Sequence, residues 1–399
     1  MSHKRILSLS SLLVIILIIT SCTGNQLGPK TSSEESELSL ALKLQNSLDK
    51  ALEAGSEGHQ LGVSAAIIIP GEETWIGVAG VSHPDTPITP EMLFDIGSAE
   101  KNLQATLVLK LIEEGLLNLD DPLYKWLKDY PNINNAITIR QLLNHTSGIY
   151  DFVEHPNSPW RKGFRNVDTT KTWTPEEVII SFVSEPYFSP GESWHYATTN
   201  YLVLNMIIEA ATQSTVVEEI KNRFLKPLNL EHTIDGLTEL ISNDLIIAHP
   251  WYDANGDGAI EDMFARPTTW LATLLPNLTY ASAGDMAKWI DTLYHQRTIL
   301  TQDSLDEMLN FYRPTEDPDE PMVSGYGLGV ADFSDFLGVQ VYGHGGSQFG
   351  YTTAALYLPE YGVTICWMIN IGADSAAPVD AMMGNIWLSL SEVLFNHLN

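Results

Sequence analysis

The hydrophobic pattern of this chain changes period twice. Residues 38–52 place Leu38, Leu42, Leu48 and Leu52 at helical spacing, and Gly55 supplies a stop. Two runs of strand character follow, 63–69 and 74–81, and the Pro70-Gly71 turn between them predicts a hairpin. From Phe94 to Gln296 helical periodicity takes over. Leu103, Leu107, Val108, Leu111 and Ile112 predict a helix that begins near Ser98 and ends at Gly115. Further helices are expected over 139–143, 175–184, 200–213 and 284–293. The tail returns to strands at 327–332, 339–343, 352–358 and 363–369, and a helix over 378–396 closes the chain. Strands at both ends of a helical middle predict an α/β (α+β) protein. In it, 37–93 and 297–399 build one sheet lobe and 94–296 form an inserted, mainly helical lobe.

The N-terminal stretch has a different character. His3, Lys4 and Arg5 precede an unbroken apolar run over 12–19, followed by Thr20-Ser21-Cys22. A bilayer span needs about 20 apolar residues, so this shorter run reads as the core of a signal peptide over 1–21. Ile19-Thr20-Ser21-Cys22 resembles the bacterial lipobox, in which the peptide is cut before the cysteine and the thiol is lipidated. The expectation is an envelope protein, on the periplasmic side or the cell surface. Acyl chains on Cys22 hold it there, and the polar stretch 22–36 serves as a flexible tether. An ordinary secretory signal with an incidental cysteine is the alternative.

The formal net charge is −29, and the leader's Lys4 and Arg5 would leave with it. Such a body neither tracks nucleic-acid phosphates nor binds a membrane through a basic patch. With Cys22 lipidated no internal disulfide is available, and Cys366, in the apolar run 363–369, reads as a small core residue.

Ser98 and Lys101 are the first chemical candidates. Residues three apart share a helix face, which sets the lysine amine beside the serine hydroxyl at a helix start. A hydroxyl is a weak nucleophile until a neighbour takes its proton, and a desolvated lysine does so as the neutral amine. Tyr196 is the second, in Pro190-Gly191-Glu192-Ser193-Trp194-His195-Tyr196-Ala197-Thr198, ahead of an apolar helix. A phenol beside an ammonium exchanges protons with a hydroxyl or a leaving group. The third is the glycine-rich edge Tyr342-Gly343-His344-Gly345-Gly346-Ser347. Glycines at a strand edge admit a ligand to the backbone, and the N–H of Ser347 is placed to complete an oxyanion hole with that of Ser98. The long loop over 149–174, with Trp160 and Trp173, is expected to wall a binding site.

In this order the pieces resemble the serine β-lactamase and penicillin-binding-protein superfamily, closest to its class C-like branch of D-amino-acid peptidases, carboxypeptidases and esterases. Supporting segments are Leu116-Leu117-Asn118-Leu119-Asp120-Asp121-Pro122 and Ile137 to Gly148, with Asn144-His145-Thr146-Ser147-Gly148 at its end. The resemblance implies an antiparallel sheet flanked by helices, with the site in a cleft beside a helical lobe. It implies that Ser98 is the nucleophile, Lys101 its base partner and Tyr196 the second proton relay. His344-Gly345-Gly346 then replaces the family's Lys-Thr-Gly edge. Acyl transfer to water on small esters, short amides or D-amino-acid peptides follows, with no cofactor required.

Two departures bear on the substrate. The family's Tyr-x-Asn is Tyr196-Ala197-Thr198 here, so the amide that helps hold the acyl-side carbonyl is a shorter hydroxyl. His344 carries less positive charge at neutral pH than lysine, which weakens recognition of a substrate carboxylate. The alternatives are a β-lactamase or D-Ala-D-Ala carboxypeptidase, and a catalytically silent binder of peptide or cell wall.

One motif lies outside this scheme. Asp253-Ala254-Asn255-Gly256-Asp257-Gly258-Ala259-Ile260 matches the start of an EF-hand loop, but its twelfth position is Phe264 instead of the bidentate glutamate. It reads either as a structural calcium clip through Asp253, Asn255 and Asp257 or as an Asx-rich turn.

Overall fold

The computed structural model describes residues 38–56, 58–159, 173–235, 246–253, 257–264, 279–313, 322–348, 350–372 and 379–399. The leader, the tether, Cys22, Trp160 and Asn255 lie outside them.

The strands are β1 (Gly62–Ile68), β2 (Trp75–His83), β3 (Thr86–Pro87), β4 (Phe94–Asp95), β5 (Thr233–Asp235), β6 (Trp251–Tyr252) and β7 (Glu261–Asp262). After them come β8 (Thr279–Ala281), β9 (Gly325–Tyr326), β10 (Ala331–Asp332), β11 (Tyr342–Gln348), β12 (Tyr351–Leu358) and β13 (Val363–Ile369). Eight of these form one antiparallel sheet in the order β3-β2-β1-β13-β12-β11-β10-β9. The first and last long strands are neighbours, with Val63 opposite Ile369, so both chain ends build the sheet.

The apolar runs that predicted β1 and β13 are continuous because both faces of the sheet are covered. Val63, Ala65 and Ile67, with Ile365 and Trp367, pack under helices α1 (Leu40–Gly55) and Val379–Leu398. Ala66, Cys366 and Met368 point to the other side and join the core of the helical part, with Met286 and Trp289 of the helix Ala283–Ile290. Cys366 is a free, fully buried thiol whose pKa burial raises, as expected of a core residue.

At the centre of the helical part is α2 (Glu100–Glu113), in which every residue from Lys101 to Leu109 is buried. Its first turn is fixed by Asn102. The amide donates to Tyr294 Oη at 2.6 Å and to the Gly329 carbonyl at 3.0 Å, and its oxygen accepts from Trp289 Nε1 at 2.9 Å. Around it stand α3 (Ile139–Leu143), α4 (Pro175–Phe182) and α5 (Thr198–Thr212). A capping box opens α3 (Thr138 with Gln141) and another opens α4 (Thr174 with Glu177).

Two strand expectations in the tail need correction. Residues 327–332 are not one strand: β9 and β10 are separated by a turn, with Gly329 at φ +68°. A side chain at 329 would collide with Ala105 and the Lys101 carbonyl, so the turn is shaped by contact with α2. Strand β11 runs over 342–348 instead of 339–343, so the glycine-rich stretch is the strand itself. Poor glycine propensity hid it, whereas pairing with β12 along its whole length supplies the order.

Candidate active site

The Ser98 turn begins where β4 ends. Asp95 Oδ1 accepts the N–H of Gly97 at 2.8 Å, which closes an Asx turn and holds Gly97 at φ +51°. Ser98 follows in a single 3₁₀ turn (Gly97–Ala99) just ahead of α2, half-buried. Lys101 lies one turn on, and its Nζ is 3.0 Å from Ser98 Oγ. Only 4% of Lys101 is exposed. The amine sits against two phenol rings, 5.2 Å from the centroid of Tyr196 and 5.6 Å from that of Tyr201.

Tyr196 sits half-buried on the chain leading into α5, whose cap residue is Ala197. This segment is held by side chains from the stretch after α3. Asp151 Oδ2 accepts the Thr198 N–H at 3.1 Å and Oδ1 accepts that of Val153 at 3.2 Å. Burial pushes Asp151 up to about 6 against the pull of those two N–H groups. The Ala197 N–H is bonded to His145 Nδ1. Thr198, in the first turn of α5, is half-buried beside the tyrosine. Asn200 does not replace the missing amide of the site, because its side chain is buried on His145 and Ser147.

Strand β11, which pairs with β10 only through Tyr342 and Gly343, forms the opposite wall. A Cβ on Gly346 would stand 1.9 Å from the Ile96 carbonyl oxygen, and one on Gly97 would stand 2.8 Å from the Ser347 nitrogen. Only glycine at both places lets the strand lie this close to the Ser98 turn. The Gly345 carbonyl accepts from His344 Nδ1 at 2.6 Å. The Ser347 backbone lies against the Ser98 turn at Gly97.

The His344 ring itself is not presented to the cleft. It is 4% exposed, donates from Nδ1 to the Gly345 carbonyl and accepts from Tyr326 Oη at Nε2, 2.8 Å away. Burial lowers it to about 3, so the ring is neutral. What this wall offers a substrate is the backbone of Gly345, Gly346 and Ser347. Tyr326, His145, Asp151 and Asp95 are the groups that motif reading left without a role. His145 and Asp151 stand in or beside a quoted motif, while nothing in the chain around Tyr326 marks it.

At the candidate calcium loop, Asp253 accepts the N–H groups of Asp257 (3.2 Å) and Gly258 (3.0 Å), as an Asx-rich turn does. Among the described residues no group of three His, Cys, Asp or Glu is placed to hold a metal ion. Likewise no described helix is long and apolar enough to cross a membrane.

Fold and site together define the class of β-lactamase-like serine hydrolases. The chain belongs to the Beta-lactamase family, whose model matches residues 48–382. It resembles a D-stereospecific amidohydrolase from Streptomyces sp., with TM-score 0.69 and 28% identity, covering 86% of this chain and 98% of that one. It likewise resembles a D-amino acid amidase from Ochrobactrum anthropi, with TM-score 0.71 and 27% identity over 88% and 99% of the two chains. Penicillin-binding protein 4* of Bacillus subtilis is 32% identical over 150 residues, which are 37% of this chain and 31% of that protein.

Proposed function

We propose that this protein is a serine hydrolase working through an acyl-enzyme on Ser98, with small esters and short amides as substrates, D-aminoacyl amides and peptides among them. The observation that carries the reading is the Lys101 amine, buried and 3.0 Å from Ser98 Oγ. In the first half-reaction Ser98 Oγ attacks the substrate carbonyl carbon while its proton passes to the Lys101 amine. The oxyanion that forms is held by the N–H groups of Ser98 and Ser347. Tyr196 hands a proton to the departing alkoxide or amine as the bond to the acyl carbon breaks. Water then adds to the ester, its proton leaving through the same pair, and the acid departs with Ser98 restored.

The amide side of this range is supported by the amidase relatives, each of which the chain matches over nearly its whole length. A β-lactamase or a D-Ala-D-Ala carboxypeptidase is disfavoured because a substrate carboxylate would meet the neutral, inward-turned His344 in place of a cation. The same proposal puts the enzyme on the bacterial envelope, tethered by lipid on Cys22. Its catalytic core would need no cofactor, and any calcium at Asp253, Asn255 and Asp257 would be structural.

The test is labelling by a fluorophosphonate probe together with turnover of chromogenic esters and of D- and L-aminoacyl anilides. Wild type should label and turn over, and Ser98→Ala should lose the label and about 10³-fold or more of the turnover. Undiminished labelling in Ser98→Ala would sink the assignment, and rapid nitrocefin hydrolysis would restore the β-lactamase reading.

A further inference from the structure

His145 stands where three segments meet behind the site. It follows α3, is fully buried, and takes a left-handed backbone conformation at φ +60°. A residue with a Cβ is kept there only where its surroundings over-determine it. The His145 carbonyl accepts the N–H of His195 at 3.2 Å. Its Nδ1 accepts the N–H of Ala197 at 3.2 Å and lies 2.9 Å from Asn200 Nδ2. Ser147 settles which way that amide faces. Its Oγ accepts the Ile149 N–H and donates to Asn200 Oδ1 at 2.6 Å, which leaves the NH₂ group toward His145. With two donors on Nδ1 the ring proton sits on Nε2, and the imidazole is neutral. Burial drives the ring the same way. The ring lies against the phenol of Tyr196, with centroids 4.3 Å apart and planes 33° from parallel. The residues on both sides of Tyr196, and one a helical turn further, are thus tied to His145: His195 through its carbonyl, and Ala197 and Asn200 through the ring that also backs the phenol.

We infer that His145 is the positioning residue of Tyr196: it brackets residues 195–200 and holds the phenol over the Lys101 amine. This rests on the reading of Tyr196 as the proton relay to the leaving group. The consequence is selective. An alkoxide or an amine needs that proton to depart, whereas p-nitrophenolate leaves without it. Loosening the phenol therefore slows alkyl esters and amides more than activated esters of the same acid. A residue that served the fold alone would slow all of them alike.

The variants are His145→Asn, Tyr196→Phe and the double variant. Asparagine keeps an acceptor near the place of Nδ1 and tolerates the left-handed backbone, but it has no ring. His145→Asn is expected to label with fluorophosphonate and to lose about 3-fold in kcat/KM, which reports acylation, on a p-nitrophenyl ester. On the matching alkyl ester or amide the loss should be about 30- to 100-fold, with no further loss in the Tyr196→Phe background. An equal loss on every leaving group, or the same factor in the Tyr196→Phe background, overturns the inference. Asn200→Ala, which strips one donor from Nδ1 and leaves the ring, carries the same test if His145→Asn does not fold. Its expected pattern is a leaving-group-dependent loss of about 3- to 10-fold, and a uniform loss overturns the inference. Absence of labelling in the wild type would instead overturn the reading of Ser98 itself, and is seen before any variant is made.

Discussion

Ser98 with Lys101 and Tyr196 reach the same cleft by different means. The first two are set by helix geometry: a 3₁₀ turn runs into α2, three residues separate the pair, and core packing on every side holds the helix. Tyr196 has no such scaffold. It precedes α5 and is placed by bonds from residues some fifty positions away, namely Asp151 to Thr198 and His145 to Ala197 and Asn200. Regular structure places groups by repetition, and a brace places them by individual bonds. The first fails with the core, and the second fails one side chain at a time.

That contrast can be broken at its strongest point first. Lys101→Met fills nearly the same volume and removes a buried amine, so it should fold at least as well as wild type. Ester turnover should fall about 10³- to 10⁴-fold. A loss under about 10-fold in steady-state kinetics would mean that the buried amine serves the fold and not the chemistry. Next comes the opposite wall. Gly346→Ala puts a methyl 1.9 Å from the Ile96 carbonyl and must push β11 off the nucleophile turn. About 1–3 kcal/mol of stability and about 10- to 100-fold in kcat should go together. Denaturant titration and kinetics on one preparation check this, and an unchanged kcat would detach the strand edge from the oxyanion.

The smallest effect concerns the Asx turn. Burial pushes Asp95 up to about 7 from the ordinary 3.8. Between those values the folded protein keeps a proton that the unfolded chain has released, so on this account stability falls as pH rises from about 4 to about 7. Asp95→Asn removes that dependence while keeping the acceptor for the Gly97 N–H. Its melting temperature relative to wild type should therefore rise by a few degrees between about pH 5 and about pH 8. A difference that stays flat across this range would mean that Asp95 titrates normally.

Much of this was legible in the chain where one period or one motif carries the information. Strand β13 was read at its observed limits, and β1 to within a residue, because sheets buried on both faces write continuous apolar runs. The Ser98–Lys101 distance follows from helical spacing. Strand β11 was misplaced, since Gly343, Gly345 and Gly346 give no strand signal and the ladder to β12 makes the strand. His344 was legible as a weak cation, but its inward turn onto Tyr326 depends on a residue eighteen positions away. The bonding of His145 was hidden for the same reason. It stands in the quoted Asn144-His145-Thr146-Ser147-Gly148 segment, yet its partners lie fifty and more residues downstream.

The burial of α2 has a consequence for how this site changes over time. From Lys101 to Leu109 no face of the helix meets solvent, so a substitution there disturbs the core of the molecule before it can alter what is bound. Loop segments such as 153–157 and 185–193 contain half-buried and exposed positions that change with little effect on that core. Inheritance is thus split: the helix that carries Lys101 is locked into the interior, and the half-exposed segments are left open to variation.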